Sequence, residues 1–169
     1  MEILWSPWRS KYIGSFKDES LGHNGCFFCN AIETKDDDNN LLVVARFDFV
    51  IAMLNKFPYN NGHTLIAPKR HIGTMEELNE NEMFDIMNGI KLVTKALDVI
   101  YKPHGFNVGA NLGRAAGAGV PEHLHFHVIP RWNGDTSFTS TISDTKVVSV
   151  SLEDTQRELS ATLKEIRKS

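Results

Sequence analysis

Apolar residues fall into short dense runs in the first third of the chain and then switch to a helical spacing. Residues 41–47 and 49–54 are rich in Val, Ile, Leu and Phe, are bounded by Asn and Asp, and meet at Asp48, a pattern that predicts a β-hairpin. The turn-forming stretch 57–62 follows and leads into a third predicted strand, 63–68, closed by Pro68. Gly62, just before that strand, marks a place where two backbone segments approach closely.

From Thr74 onward the apolar period is near 3.6, with Met83, Ile86, Met87, Ile90, Val93, Leu97 and Ile100 assigned to one face of a long helix that Pro103 and Gly105 end. Thr74 and Glu77 have capping-box spacing at its start. Further strands are expected over 106–112 and 122–129, separated by the Gly- and Ala-rich loop 113–119. A last strand is expected over 146–152, then a surface helix over 154–168 capped by Asp154. Antiparallel strands around one long helix predict an α+β fold.

At 169 residues the chain has the size of a single domain, with a core over about 26–132, an aromatic N-terminal segment 1–25 and a C-terminal extension 133–169. A net charge of -3 supplies no general attraction for nucleic acid or anionic lipid, so neither partner is expected and any phosphate must be held locally. The start of the chain lacks an apolar run long enough for a signal peptide or membrane helix, which predicts a cytoplasmic protein.

Three of the seven histidines alternate in a single run, His123-Leu124-His125-Phe126-His127. On a strand this spacing puts the imidazoles on one face and Leu124, Phe126 and Val128 on the other, with neighbouring histidines about 6.5–7 Å apart. A neutral imidazole is a nucleophile at physiological pH, and its neighbours can stabilise charge on a phosphoryl group. The loop 113–119 just before the run can turn backbone N–H groups toward phosphate oxygens, which makes Gly117 and Gly119 candidate phosphate contacts. It lacks the Gly-Lys-Ser/Thr ending of a P-loop.

Cys26 and Cys29, at C-x₂-C spacing, supply half of a tetrahedral metal site and need two more ligands, for which histidines are the candidates. Two reduced buried thiols or a dithiol redox pair are the other readings of these cysteines.

The run His123–His127 and the upstream segment Gly62-His63-Thr64-Leu65-Ile66-Ala67-Pro68-Lys69-Arg70-His71 together resemble the histidine triad (HIT) family. The segments Leu4-Trp5-Ser6-Pro7-Trp8-Arg9 and 111–123 are similar to the diadenosine tetraphosphate phosphorylase-like subgroup. The resemblance implies that His125 is the nucleophile, that it forms a nucleotidyl-histidine, and that water or inorganic phosphate then releases the nucleotide. It further implies that His127 contacts the phosphate, His63 lies beside the catalytic imidazole and Asn111 belongs to the nucleotide site. By the same resemblance His71 and His123 complete a structural zinc site with Cys26 and Cys29, and the protein is a homodimer joined through its long helix and a strand. Several family hydrolases carry Gln or Ser four residues before the first triad histidine, where this chain has Gly119, leaving hydrolase and phosphorylase both open.

Two other classes compete with this expectation. One is a metal-dependent hydrolase with His123, His125 and His127 as ligands; no H-E-x-x-H helix or carboxylate cluster accompanies them. The other is a non-catalytic nucleotide-binding protein, against which the intact histidine run counts. Phe47, Phe49, Leu54 and Phe57 are candidates for contact with the base, and Trp8 and Trp132 for closing the pocket or packing an interface. His23 and His104 are expected at the surface.

Overall fold

Two apolar runs separated by one tight turn can bury their side chains only by folding back on each other, and they do. The computed structural model describes residues 25–135 and 148–168. Strands β1 (Val43–Arg46) and β2 (Val50–Leu54) are antiparallel, and the Phe47 N–H donates to Val50 O at 3.0 Å across the turn at Asp48 and Phe49. Strand β3 (Thr64–Pro68) pairs with β2, β5 (Phe126–Arg131) pairs with β3, and β4 (Gly105–Ala110) lies outside β5. The sheet is antiparallel with order β1-β2-β3-β5-β4. It forms an α+β fold with helices α1 (Phe27–Glu33), α2 (Glu80–Tyr101) and α3 (Leu152–Ile166).

The two-residue period of the strands divides the core between the two faces of the sheet. Val50, Ala52, Leu54, Ile66 and Val128 pack against Ile86, Ile90, Val93 and Leu97 of α2 and Leu159 and Leu163 of α3. Ile51, Met53, Leu65 and Ala67 point the other way, onto Cys26, Phe28, Cys29 and Ala31 around α1. The second face carries the chemistry.

Local chemistry explains where the elements differ from expectation. Thr74 and Glu77 do form a capping box, but on the short 3₁₀ turn Met75–Glu77; α2 begins afterwards, where Asn79 accepts from the Glu82 N–H at 3.0 Å and Glu82 caps the Asn79 N–H in return. Met83 and Met87 do not face the core. The buried stripe is Glu82, Asp85/Ile86, Gly89/Ile90, Val93 and Ala96/Leu97, which leaves both methionines exposed on the flank.

The described part of the expected last strand, 148–151, is not a strand. Ser151 instead accepts from the Asp154 N–H at 3.1 Å and starts α3 at Leu152, so Asp154 occupies the first turn rather than the cap. α3 is also more than a surface helix: Leu159 and Leu163 are buried, and Gln156 Nε2 donates to Val43 O at 2.7 Å, where β1 is bulged.

Gly62 has φ +76°, and a Cβ there would lie 2.6 Å from Leu97 Cδ2, so the close approach before β3 is to a side chain of α2 rather than to a second backbone segment.

Candidate active site and metal centre

The histidine run enters the sheet later than its alternation predicts. β5 starts at Phe126, so of the three histidines only His127 lies on a regular strand. Before it, the pairing with β3 stops at Ile66 and Phe126, and the chain finds other partners: the His123 N–H donates to Val120 O at 3.2 Å and the Leu124 N–H to Ile72 O at 2.6 Å. The imidazoles still form one row. The ring centroids of His125 and His127 are 5.1 Å apart, and Phe28 lies 4.9 Å from the His123 ring and 5.1 Å from that of His125.

Hydrogen bonds fix the tautomer of each imidazole, because carbonyl oxygens only accept and backbone N–H groups only donate. His125 Nδ1 is 2.8 Å from His123 O, so Nδ1 carries the proton and Nε2 keeps a lone pair. Burial holds the His125 imidazole below the ordinary histidine range, while the same carbonyl pulls it partly back. His123 Nε2 likewise donates to Pro68 O at 2.9 Å, leaving its Nδ1 as an acceptor or ligand.

His63 is set the opposite way. Its Nδ1 accepts from the Tyr59 N–H at 3.1 Å, with Asn55 Nδ2 3.4 Å away. The Asn55 amide is turned that way because its Oδ1 accepts from the Phe57 N–H at 2.9 Å. The His63 proton is therefore on Nε2, from which it is donated to His127 Nδ1 at 2.9 Å, and His127 in turn carries its proton on Nε2. His63 is pushed down to about 3, first by burial and then by the neighbouring His127 and His125.

His125 and His127 share a cleft with Asn55, Phe57, Tyr59, Asn111, Gly117 and Gly119. Asn111 Nδ2 donates to Gly117 O at 3.3 Å, and Gly117 has φ +89°, so the loop turns where only glycine is unstrained. The expected set His63, Asn111, Gly117, Gly119, His125 and His127 is thus brought to one place.

Asn55 and Tyr59 were not anticipated. They sit in turn chemistry with no catalytic residue type, and only the return of the chain along β3 reveals that they face the histidines. Of the residues considered for base contact, Phe57 lines the cleft, Phe47 and Leu54 are core, and Phe49 is exposed beside the β1–β2 turn. Trp132 follows β5, where its N–H donates to Asp135 Oδ2 at 3.2 Å. His104 is exposed as expected, whereas Trp8 and His23 lie outside the described residues.

Behind His123, Cys26, Cys29, His71 and His123 place their four donor atoms within 4.8 Å of one another. Cys26 Sγ is 3.2 Å from His123 Nδ1, and Cys29 Sγ is 3.2 Å from His71 Nδ1 and 3.6 Å from His123 Nδ1. Burial and the adjacent Cys26 sulfur push the Cys29 thiol up to about 12. Two buried sulfurs facing two imidazoles are chemically suited to hold a metal ion, whose charge would favour the thiolates.

The family model for the HIT domain matches residues 37–134, more than half of the chain. The chain belongs to the HIT family. It is 37% identical over 162 residues to a Mycobacterium tuberculosis (strain H37Rv) protein named AP-4-A phosphorylase, covering 94% of this chain and 83% of that protein. It is 36% identical over 108 residues to an adenosine 5'-monophosphoramidase of Schizosaccharomyces pombe, covering 64% of this chain and 75% of that protein.

Among solved structures, a histidine triad nucleotide-binding protein from Sulfolobus tokodaii strain7 superposes with TM-score 0.66 at 28% identity, covering 84% of this chain and 94% of that chain. A zinc-bound HIT family protein from Mycobacterium smegmatis shares the fold with TM-score 0.68 at 24% identity, covering 87% of this chain and 99% of that one.

Proposed function

We propose that this HIT protein cleaves a nucleoside polyphosphate such as diadenosine tetraphosphate, and that His125 carries the nucleotidyl group covalently between two half-reactions. The observation that carries the reading is the 2.8 Å bond from His125 Nδ1 to His123 O, which leaves the Nε2 lone pair for attack in a cleft lined by His127, Asn111, Gly117 and Gly119.

His125 Nε2 attacks the α-phosphorus. An N–P bond forms, and the P–O bond to the leaving phosphate breaks with its electron pair on oxygen. The imidazolium so formed keeps its Nδ1 proton on the His123 carbonyl. His127, holding its proton on Nε2 through the His63 relay, donates to a phosphate oxygen as charge builds there. Gly117 and Gly119 let the backbone approach the phosphates, Asn111 braces their loop, and Phe57 offers an apolar surface to a base. Water or inorganic phosphate then attacks the nucleotidyl-His125 phosphorus, and the N–P electron pair returns to Nε2.

Zinc is the metal that suits a Cys₂His₂ donor set, and Cys26, Cys29, His71 and His123 would hold it as a structural ion. Bound, it would supply a dication that fixes α1 against the segment carrying His123. The His123 Nε2–H bond to Pro68 O is the outer support that such a ligand takes.

Exposed Met83, Phe84 and Met87 on α2 and Val108 on the edge strand β4 support a homodimer built on this helix and strand. Among the described residues no helix is long and apolar enough to cross a membrane, and the buried free thiols favour a reducing cytoplasmic setting.

The likeness to the phosphorylase favours phosphate over water as the second attacking group. Product analysis with diadenosine tetraphosphate tests this. Phosphate should stimulate cleavage and yield ADP with ATP; equal rates with and without phosphate, giving AMP and ATP, would support hydrolysis instead. No cleavage under either condition would remove the substrate assignment.

A further inference from the structure

The catalytic reading uses the His63 imidazole as a fixed donor to His127, and a histidine does this only while it stays neutral in a single tautomer. An aromatic ring covers that imidazole. Tyr59 lies nearly parallel to His63, with centroids 4.9 Å apart and planes 25° apart, and it extends toward His127 at 6.3 Å and 23°. The same residue's N–H donates to His63 Nδ1 at 3.1 Å, and its side chain lines the cleft.

The turn that carries Tyr59 is held from both sides. The His63 N–H donates to Asn60 O at 3.1 Å, and Asn60 Nδ2 donates to Pro130 O at 3.0 Å and to Asp135 Oδ2 at 2.8 Å. The ring is thus placed over His63 by a turn anchored to the end of β5.

We propose that Tyr59 is a positioning residue for the reaction: its stacked ring keeps water from His63 and holds that imidazole as a single-tautomer donor to His127. The proposal rests on reading His125 and His127 as the reacting pair. His63 is 1% exposed, and the titratable groups acting on it are the imidazoles of His127 and His125; Asn55 and the Tyr59 backbone supply its other polar contacts. Protonation of His63 would put a hydrogen on Nδ1 against the Tyr59 N–H, two donors facing each other. The ring would have to turn, and His127 would lose the bond that orients it. The low value of about 3 means that this does not occur near neutral pH while the ring is in place.

The test uses the full metal-loaded chain with isotopically labelled histidine, comparing wild type with Tyr59→Ala and Tyr59→Phe. In wild type, His63 should show no NMR titration between pH 8 and 5. In Tyr59→Ala it should titrate within that range, and the ratio of variant to wild-type kcat on diadenosine tetraphosphate should fall by about tenfold from pH 8 to pH 5.5, as the imidazole nears its ordinary pKa of about 6.5. Tyr59→Phe keeps the ring and should restore the silent His63. Tyr59→Gln, of closer volume but polar, should behave as the alanine variant does and replaces it if that variant does not fold.

A purely structural role would lower stability or kcat equally at every pH. A His63 that stays silent in both Tyr59→Ala and Tyr59→Gln, or a kcat ratio flat with pH, would overturn the proposal. The titration is read without substrate, so it judges the ring's effect on His63 separately. Failure of wild type to cleave the dinucleotide would instead strike the assigned reaction, and with it the catalytic part of this proposal.

Discussion

A single carbonyl links the two centres of this protein. His123 faces the thiols with Nδ1, while its backbone oxygen takes the Nδ1 proton of His125, so the residue offered to the metal also sets the tautomer of the proposed nucleophile. Phe28, fully buried between the two cysteines in sequence, packs on both rings. Loss of one thiolate should therefore be felt at the catalytic imidazole. Cys29→Ser is expected to lose bound zinc, to unfold at lower temperature and to lose activity together, which metal analysis, thermal melting and an assay on one preparation would check. Full zinc occupancy in the variant would contradict the assignment of this ligand.

The residue scale is also where the sequence was most legible. Alternating histidines and a C-x₂-C pair drew attention to two centres, the family resemblance implied His71, His123 and Asn111, and all four donors of the metal centre and the lining residues His125, His127, Asn111, Gly117 and Gly119 do converge. Asn55 and Tyr59 were not legible. Their contribution is a backbone N–H, an amide orientation and a ring face, none of which has a spacing that can be read along the chain.

At the scale of elements, apolar periodicity located the sheet and the long helix, and polar capping decided their ends. Two capping-box sequences lie five residues apart, at Thr74 and Asn79, and only the second, whose side chain accepts from the N3 backbone N–H, opens α2. Asn79→Ala should destabilise the fold by about 0.5–2 kcal/mol, because it removes the acceptor for the Glu82 N–H beside a buried Glu82. A change within the error of a denaturation curve would show that the Arg70–Glu82 pair, at 2.6 Å, holds the helix start by itself.

Over the described part of the expected strand 146–152, one hydroxyl in position to cap, that of Ser151, outweighs β propensity. Alternation predicts a strand through all three histidines, yet the ladder with β3 runs only as far as Ile66 and Phe126, and Leu124 turns its N–H to Ile72 O instead.

At the scale of the whole molecule, the buried neutral histidines tie stability to pH. His63 is held well below its unfolded value, so above about pH 6.5 both states leave it neutral and nothing is lost. As pH falls from about 6.5 toward 3, the unfolded chain takes up a proton that the folded chain refuses, and stability drops. The depressed carboxyls of Glu82 and Asp135 lose their contribution only as pH falls from the usual carboxylate range downward, so the interval from pH 6.5 to 5 lies above them. Urea unfolding across that interval should fall more gently with pH for His63→Gln than for wild type. Parallel curves would mean that His63 is not held neutral by the fold.

If His125 is the covalent nucleophile, its loss is read in the kcat of His125→Ala. His125 belongs to the cleft rather than to the metal cluster, so the substitution should leave fold and zinc content intact while removing the attacking lone pair. A covalent role requires kcat to fall by several orders of magnitude, with zinc content and melting temperature close to wild type. Retention of more than roughly a tenth of wild-type kcat, a loss of less than about 1.4 kcal/mol in transition-state stabilisation, would contradict it.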